Sequence, residues 1–220
     1  MPIVDTPNPC TLCPRLAGFV AENRMKFPGY FNGPVPNFGD GEAEVMIVGL
    51  APGLHGANWS GRPFTGDAAG DLLFETLHKT GFSTGTYDKR PDDGLQLNNI
   101  LICNCVKCVP PENKPTAAEI TTCRPFLVDQ IKAMPNLKVM VSLGKIAHDS
   151  TLKALDITRH GLKMKDFQFG HEAVHTLPSP LHGGGLIMID SYHCSRYNTN
   201  TGRLTAEMFT AVFERAKSFL

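Results

Sequence analysis

Five short apolar runs punctuate the chain: EVMIVGL (44–50), NILICNCV (99–106), LKVMVSLG (137–144), EAVHTL (172–177) and GLIMIDSYH (185–193). The runs are mostly continuous rather than alternating. In EVMIVGL and NILICNCV that pattern predicts buried strands, and the other three read as further strands. Helical patterns fill the gaps. AAGDLLFETLHKTG starts at Asp67 or the turn before it and stops at Gly81. Thr116 and Glu119 form a capping box, in which a hydroxyl and a carboxylate each satisfy a free backbone N–H. The helix they open should reach about Met134, with a kink at Pro125. Another helix follows residue 144, and residues 204–219 form an amphipathic C-terminal helix. Residues 1–42, rich in Pro, Gly and Asn, read as an irregular arm with one short helix near 14–25. Strand and helix thus alternate, which predicts a parallel sheet covered on both faces. Ligands of such sheets sit beyond the carboxyl ends of the strands. Loops 51–67, 104–115 and 193–203 occupy that position.

Composition narrows the picture. A length of 220 residues, with 42% hydrophobic and 19% charged residues, suits one folded domain spanning 1–220. Lys+Arg and Asp+Glu both number 21, so a nucleic-acid-binding face would have to be local. The start, MPIVDTPNPC, lacks the basic and apolar regions of a signal peptide. The apolar runs are too short to span a bilayer. A soluble cytoplasmic protein is expected, and no exposed apolar helix face demands a dimer.

In a reducing compartment, seven cysteines argue for metal binding or catalysis over disulfides. Cys10 and Cys13 have the CxxC spacing that turns two sulfurs toward one ion. Cys108 and Cys123 could complete a four-thiolate site, for zinc or for an iron–sulfur cluster; spacing does not choose. All four could instead be inert buried thiols. Cys103 and Cys105 share one side of their strand and read as packing residues, with Asn104 on the other side. Cys194 beside His193 could imitate a nucleophile next to a base, but a small loop filler is the simpler reading.

Three segments carry a family resemblance: GLAPGLHGANWSGRPFTGDAAGDLLF (49–74), NCVKCVPPENKPTAAEITTCRPFL (104–127) and SYHCSRYNTNTGRLT (191–205). With the N-terminal CxxC they resemble the family 5, or type b, uracil-DNA glycosylases over most of the chain. Family 4 enzymes share the cysteine pattern and GRPF but carry an acidic residue where this chain has GLAPG. The resemblance implies a three-layer α/β/α sandwich around a mainly parallel four-stranded sheet. It also implies an N-terminal iron–sulfur arm, with a 4Fe–4S cluster on Cys10, Cys13, Cys108 and Cys123.

The implied substrate is DNA containing uracil or another deaminated base, in the nucleoid of a prokaryote. The enzyme would flip the base and hydrolyse its N-glycosidic bond, starting base excision repair. Phe64 would stack on the flipped base, although alone it would read as core. The backbone at Leu50, Ala51 and Gly53 would lie against the base, made approachable by Gly and Pro. Asp67 would activate water or stabilise the positive sugar, although an Asp in that place is often only an N-cap. His193, as a neutral imidazole, would donate to the anion on the departing base. Asn113 matches a residue that affects catalysis in the family; by itself it is a turn former. Asn104, where many family 5 members have a small apolar residue, could read a base edge with its amide. Arg196 or Tyr197 would wedge into the gap left by the base. Arg203, Lys107, Lys114 and Arg124 are candidates for phosphate contacts. LPSPLH (177–182) resembles a motif of sister families but lacks its leading His and precedes the last strand, so it reads as a decoy.

Two other classes fit parts of the pattern. One is a non-catalytic binder of damaged DNA on the same fold. The other is a zinc-dependent hydrolase using Asp67 and His193 on a different substrate.

Overall fold

The computed structural model describes residues 3, 4, 6–179 and 185–220. A six-stranded sheet has the order β1-β5-β2-β6-β8-β7. Its centre is four parallel strands: β2 (Val45–Gly49), β5 (Ile100–Asn104), β6 (Val139–Leu143) and β8 (Gly185–Ser191). The expected four-stranded sheet is therefore extended by an antiparallel strand at each edge. Edge strand β1 (Phe38–Gly39) is only two residues of the Gly/Pro-rich arm and shows no periodicity to read. Edge strand β7 (Val174–Pro178) precedes β8 by six residues. A parallel connection needs a crossover of about a dozen residues or more, so this short link dictates a hairpin. Strands β3 (Ser83–Thr84) and β4 (Gln96–Leu97) form a separate small ladder. The decoy segment begins in β7; residues 180–182 lie outside the described residues.

Every residue of β2, β5 and β6 is buried, because helices cover both faces. The period-2 geometry divides their side chains. Val45, Ile47, Ile100, Ile102, Val139 and Val141 join one core with α3 (Ala68–Lys79) and α7 (Ala206–Lys217). Met46, Val48, Leu101, Cys103 and Met140 join the other with α4 (Ala117–Ala133) and α5 (Lys145–Ala154). Cys103 and Cys105 are thus filler on the α4/α5 face. The capping box closes as the sequence predicts: Thr116 Oγ1 accepts from Glu119 N at 3.2 Å, and Glu119 Oε2 from Thr116 N at 2.7 Å. The helix it opens runs through Pro125 as one element.

A third, smaller core holds the arm. Leu16 and Val20 of α1 (Pro14–Lys26) pack with Val106, Val109, Cys108 and Cys123. The Arg15 guanidinium forks onto Glu119 of α4 at 2.8 and 2.7 Å, tying the arm to the helix that carries Cys123. Among the described residues no helix is long and apolar enough to cross a membrane.

Candidate active site and four-cysteine centre

Register brings the chemistry to one edge. Gly49 at the end of β2 lies beside Asn104 at the end of β5. Leu143 pairs with Ser191, two residues before His193. A small inner pocket of about 40 Å³ lies here, lined by Ala51, Pro52, Gly53, Ala57, Phe64, Asp67, Ala69, Asn104 and His193. It opens into a cleft of about 600 Å³ that adds Leu50, His55, Asn113, Ser195 and Arg196. Asp67 and His193 line both.

Asp67 does two things with two oxygens. Oδ1 accepts from Ala69 N (3.0 Å) and Gly70 N (3.3 Å), which caps α3. Oδ2 turns toward Gly53 and Gly56; a Cβ at those glycines would come within 3.2 and 2.4 Å of it. The cap fixes the carboxylate, and the second oxygen is left facing the pocket.

Phe64 sits at φ +56, the left-handed region that a bulky residue rarely adopts. Its surroundings hold it there. Gly70 gives way to its carbonyl, since a Cβ at 70 would lie 1.7 Å from Phe64 O. Tyr87 Oη donates to the same oxygen at 3.3 Å. Arg62, two residues earlier, is buried and forks onto both oxygens of Asp93 at 2.8 Å while its Nε donates to Thr65 Oγ1 at 2.7 Å. Its guanidinium also lies over the rings of Phe38, Phe74 and Tyr87. Burial pushes the Asp93 carboxyl up, but the guanidinium and two backbone N–H donors outweigh it and hold the pKa far below the usual carboxylate range. Sequence reading missed this pair because 31 residues separate its members.

His193 faces the Phe64 ring at a centroid distance of 6.1 Å and 28° between planes. Burial pushes its pKa below the ordinary histidine value; the neighbouring Asp67 charge acts in the opposite sense without reversing the shift. The imidazole is therefore neutral at pH 7. Asn198 Nδ2 donates to the His193 carbonyl at 2.8 Å and steadies the turn. Asn104 is buried to 4% exposure, and among the described residues its side-chain amide bonds to no protein group. A Cβ at Gly49 would meet its Oδ1 at 2.4 Å and Phe64 Cζ at 2.9 Å, so only glycine admits both.

Cys10, Cys13, Cys108 and Cys123 line one cavity, together with Leu12, Leu16, Val106, Lys107 and Phe126. Cys103, Cys105 and Cys194 are not among its lining residues. Burial first, then the neighbouring cysteines, pushes Cys108 up to about 12. Burial likewise takes Cys123 to about 11 and raises Cys13, with Glu119 and Cys10 adding to the latter. Four soft donors around one apolar hole repel one another as bare thiolates, and a bound cationic centre removes that penalty. The donor set therefore fits a thiolate-ligated cluster, whose core spans more than a single ion.

The remaining predicted contacts divide. Arg196 lies on the cleft, in a short helix α6 (Arg196–Asn200) where the sequence suggests a loop. Tyr197 beside it is 72% exposed. Asn113 is exposed at φ +56 on the cleft wall, and Lys114 next to it is exposed. Arg203 is exposed with its guanidinium 4.4 Å from the Tyr192 ring. Arg124 is half-buried and donates to Thr121 Oγ1. Lys107 must be struck from the phosphate contacts. It is 2% exposed, and its ammonium points inward to Asn37 Oδ1 and Cys103 Sγ.

Two groups escaped sequence reading. His55 stands on the cleft wall with Nδ1 3.0 Å from Tyr30 Oη. Its ring meets the edge of Phe27 at 5.6 Å, and Phe27 stacks on Tyr30 at 4.9 Å. Cys13 is the N-cap of α1 and Phe27 its C-cap, so one helix joins the cysteine cavity to the cleft wall. Elsewhere, His148, His175 and Asp190 gather within 4.8 Å. His148 spends Nδ1 on Asp190 and Nε2 on the Phe167 carbonyl (3.0 Å), which makes this a hydrogen-bonded pin between sheet and surface turn.

The sequence profile of the Uracil DNA glycosylase superfamily matches residues 36–217, and the chain belongs to that superfamily. Within it the chain belongs to the type-5 enzymes. A type-5 uracil-DNA glycosylase of Thermus thermophilus is 42% identical over 97% of this chain and 95% of its own length. Another from Pyrobaculum aerophilum is 38% identical over 94% of this chain and 87% of its own length. A type-4 enzyme of Archaeoglobus fulgidus is 37% identical, but over only 56% of this chain and 54% of its own length.

Proposed function

We propose that this chain is a monofunctional DNA glycosylase that removes uracil from DNA and so initiates base excision repair. Its family membership supports the reaction, and the shared pocket of Asp67 and His193 carries the assignment of residues. Uracil rotates out of the duplex at a cost of about a few kcal/mol. Phe64 stacks on it, and the Asn104 amide and the backbone at Leu50, Ala51 and Gly53 read its edge. Asp67 Oδ2 orients water toward C1′ and takes its proton as the N-glycosidic bond breaks. The electron pair leaves with the base, and the neutral His193 imidazole donates a hydrogen bond to the resulting anion. Asn113 lies at the cleft wall, where it would touch the nucleotide.

Arg196 and Tyr197 suit the wedge, and Lys114, Arg203 and Arg124 the phosphates. The first loop offers backbone rather than a polar side chain to the base, which favours tolerance of hypoxanthine and xanthine. Cys10, Cys13, Cys108 and Cys123 would hold a 4Fe–4S cluster, supplying a structural clip for the arm. The test is a panel of duplexes carrying uracil, hypoxanthine or xanthine, incubated with wild type, Asp67→Ala and His193→Ala and then treated with alkali. Strand cleavage by wild type that collapses in both variants is the expected result. Full cleavage by both variants overturns the assigned roles.

A further inference from the structure

Lys107 presents a problem in physical chemistry. A lysine is almost never fully buried unless a counter-charge accompanies it, because removing an ammonium from water is costly. Lys107 is 2% exposed, yet among the described residues no carboxylate pairs with it. Its Nζ donates to Asn37 Oδ1 and to Cys103 Sγ, the latter at 3.0 Å. The amide is held in one orientation. Asn37 Nδ2 donates to Gln130 Oε1 (2.8 Å) and Val4 O (3.1 Å), which leaves its oxygen facing the ammonium. Among the described residues, the acceptors of this buried ammonium thus include no carboxylate. The four-cysteine cavity lies next door. Lys107 lines the four-cysteine cavity between Val106 and Cys108, and its backbone N–H donates to Cys123 Sγ at 3.4 Å.

We infer that Lys107 is the buried counter-charge of the four-cysteine centre, its ammonium neutralising the net negative charge that four thiolates bring to an iron–sulfur core. This rests on the cluster reading given above. A fixed positive charge beside such a centre favours its reduced form and holds it in place.

The experiment compares wild type with Lys107→Met, Lys107→Gln, Lys107→Arg and Cys103→Ala, each as the purified full chain. Iron and acid-labile sulfide come first; a wild type containing neither refutes the cluster reading itself, independently of Lys107. With a loaded wild type, the readouts are the reduction potential and the rate of iron release to a chelator. Lys107→Met and Lys107→Gln should lower the potential and release iron about tenfold faster, or fail to fold where Lys107→Arg folds. Lys107→Arg and Cys103→Ala should stay near wild type. Wild-type potential and release rate in either neutral variant overturns the inference. So does equal failure of all three Lys107 variants, which would make the role one of volume. A Cys103→Ala variant that copies the neutral lysine variants also overturns it, by assigning the ammonium's partner charge to a Cys103 thiolate instead.

Discussion

Asp93→Asn tests how the Phe64 loop is held. The carboxylate accepts four hydrogen bonds: Oδ1 from Arg62 (2.8 Å) and Leu95 N (3.1 Å), and Oδ2 from Arg62 (2.8 Å) and Asp88 N (2.8 Å). Asparagine keeps the shape but replaces one acceptor by a donor that faces two donors, and it leaves Arg62 buried without its charge. Breaking a buried pair in this way costs about 3–5 kcal/mol. For a chain of this size each kcal/mol moves Tm by about 2–4 °C, so a fall of about 6–20 °C is expected in calorimetry or thermal circular dichroism. The acid response gives a second reading. Because the folded pKa of Asp93 is depressed, its stabilisation is fully present above the unfolded value of about 3.9 and is lost as pH falls from there through the folded value. The Asn variant should lack that portion of the wild-type acid loss in urea titrations at pH 7 and pH 3. Uracil excision, assayed well below both Tm values, should fall because Phe64 is no longer held at positive φ. A Tm drop under about 3 °C with the wild-type acid response intact would refute the reasoning.

Other expectations are equally direct. Asp67→Asn keeps an N-cap acceptor while removing the carboxylate, so stability should stay within about 1 kcal/mol while kcat falls at least about 100-fold; equal activity would reduce Asp67 to a cap. Asn104→Ala should cost about 1–3 kcal/mol of transition-state binding, about 5–150-fold in kcat/KM for uracil, and unchanged uracil excision would show that its amide does not read the base. For His193 the active form is the neutral one, and its pKa is lowered. The acid limb of the kcat/KM profile should therefore be centred below 6.5, whereas one centred above 6.5 would contradict the desolvated imidazole. Gly49→Ala should impair excision, because the new Cβ displaces Asn104 Oδ1 and Phe64 together; wild-type kcat/KM in this variant would show that the pocket is slack.

Much of this was readable in the sequence where a local pattern carried it. Four of the five apolar runs mark the parallel strands, and Thr116 with Glu119 marks the start of α4. Three motifs separated in sequence converge because parallel strands deliver their carboxyl ends to one edge. What escaped is what depends on distance. Strand β1 exists only because β5 offers it an edge; alone, Phe38–Gly39 has no period. Arg62 announces nothing about Asp93, and Arg15 nothing about Glu119, until the chain is folded. Lys107 misled because lysine is nearly always a surface residue, and no local signal marks the exception. Asp67 caps α3 and also lines the pocket, so capping does not take its carboxylate out of the site.

Helix α1 gives the molecule a lever. At about 20 Å it is a stiff rod, planted on Cys13 at one tip and braced against Tyr30 and His55 beyond the other. The thiol end and the cleft wall are therefore joined through one rigid element. Were a cluster held there as proposed, its loss to oxidant or chelator would slacken the wall at His55 before it reached Asp67 or His193.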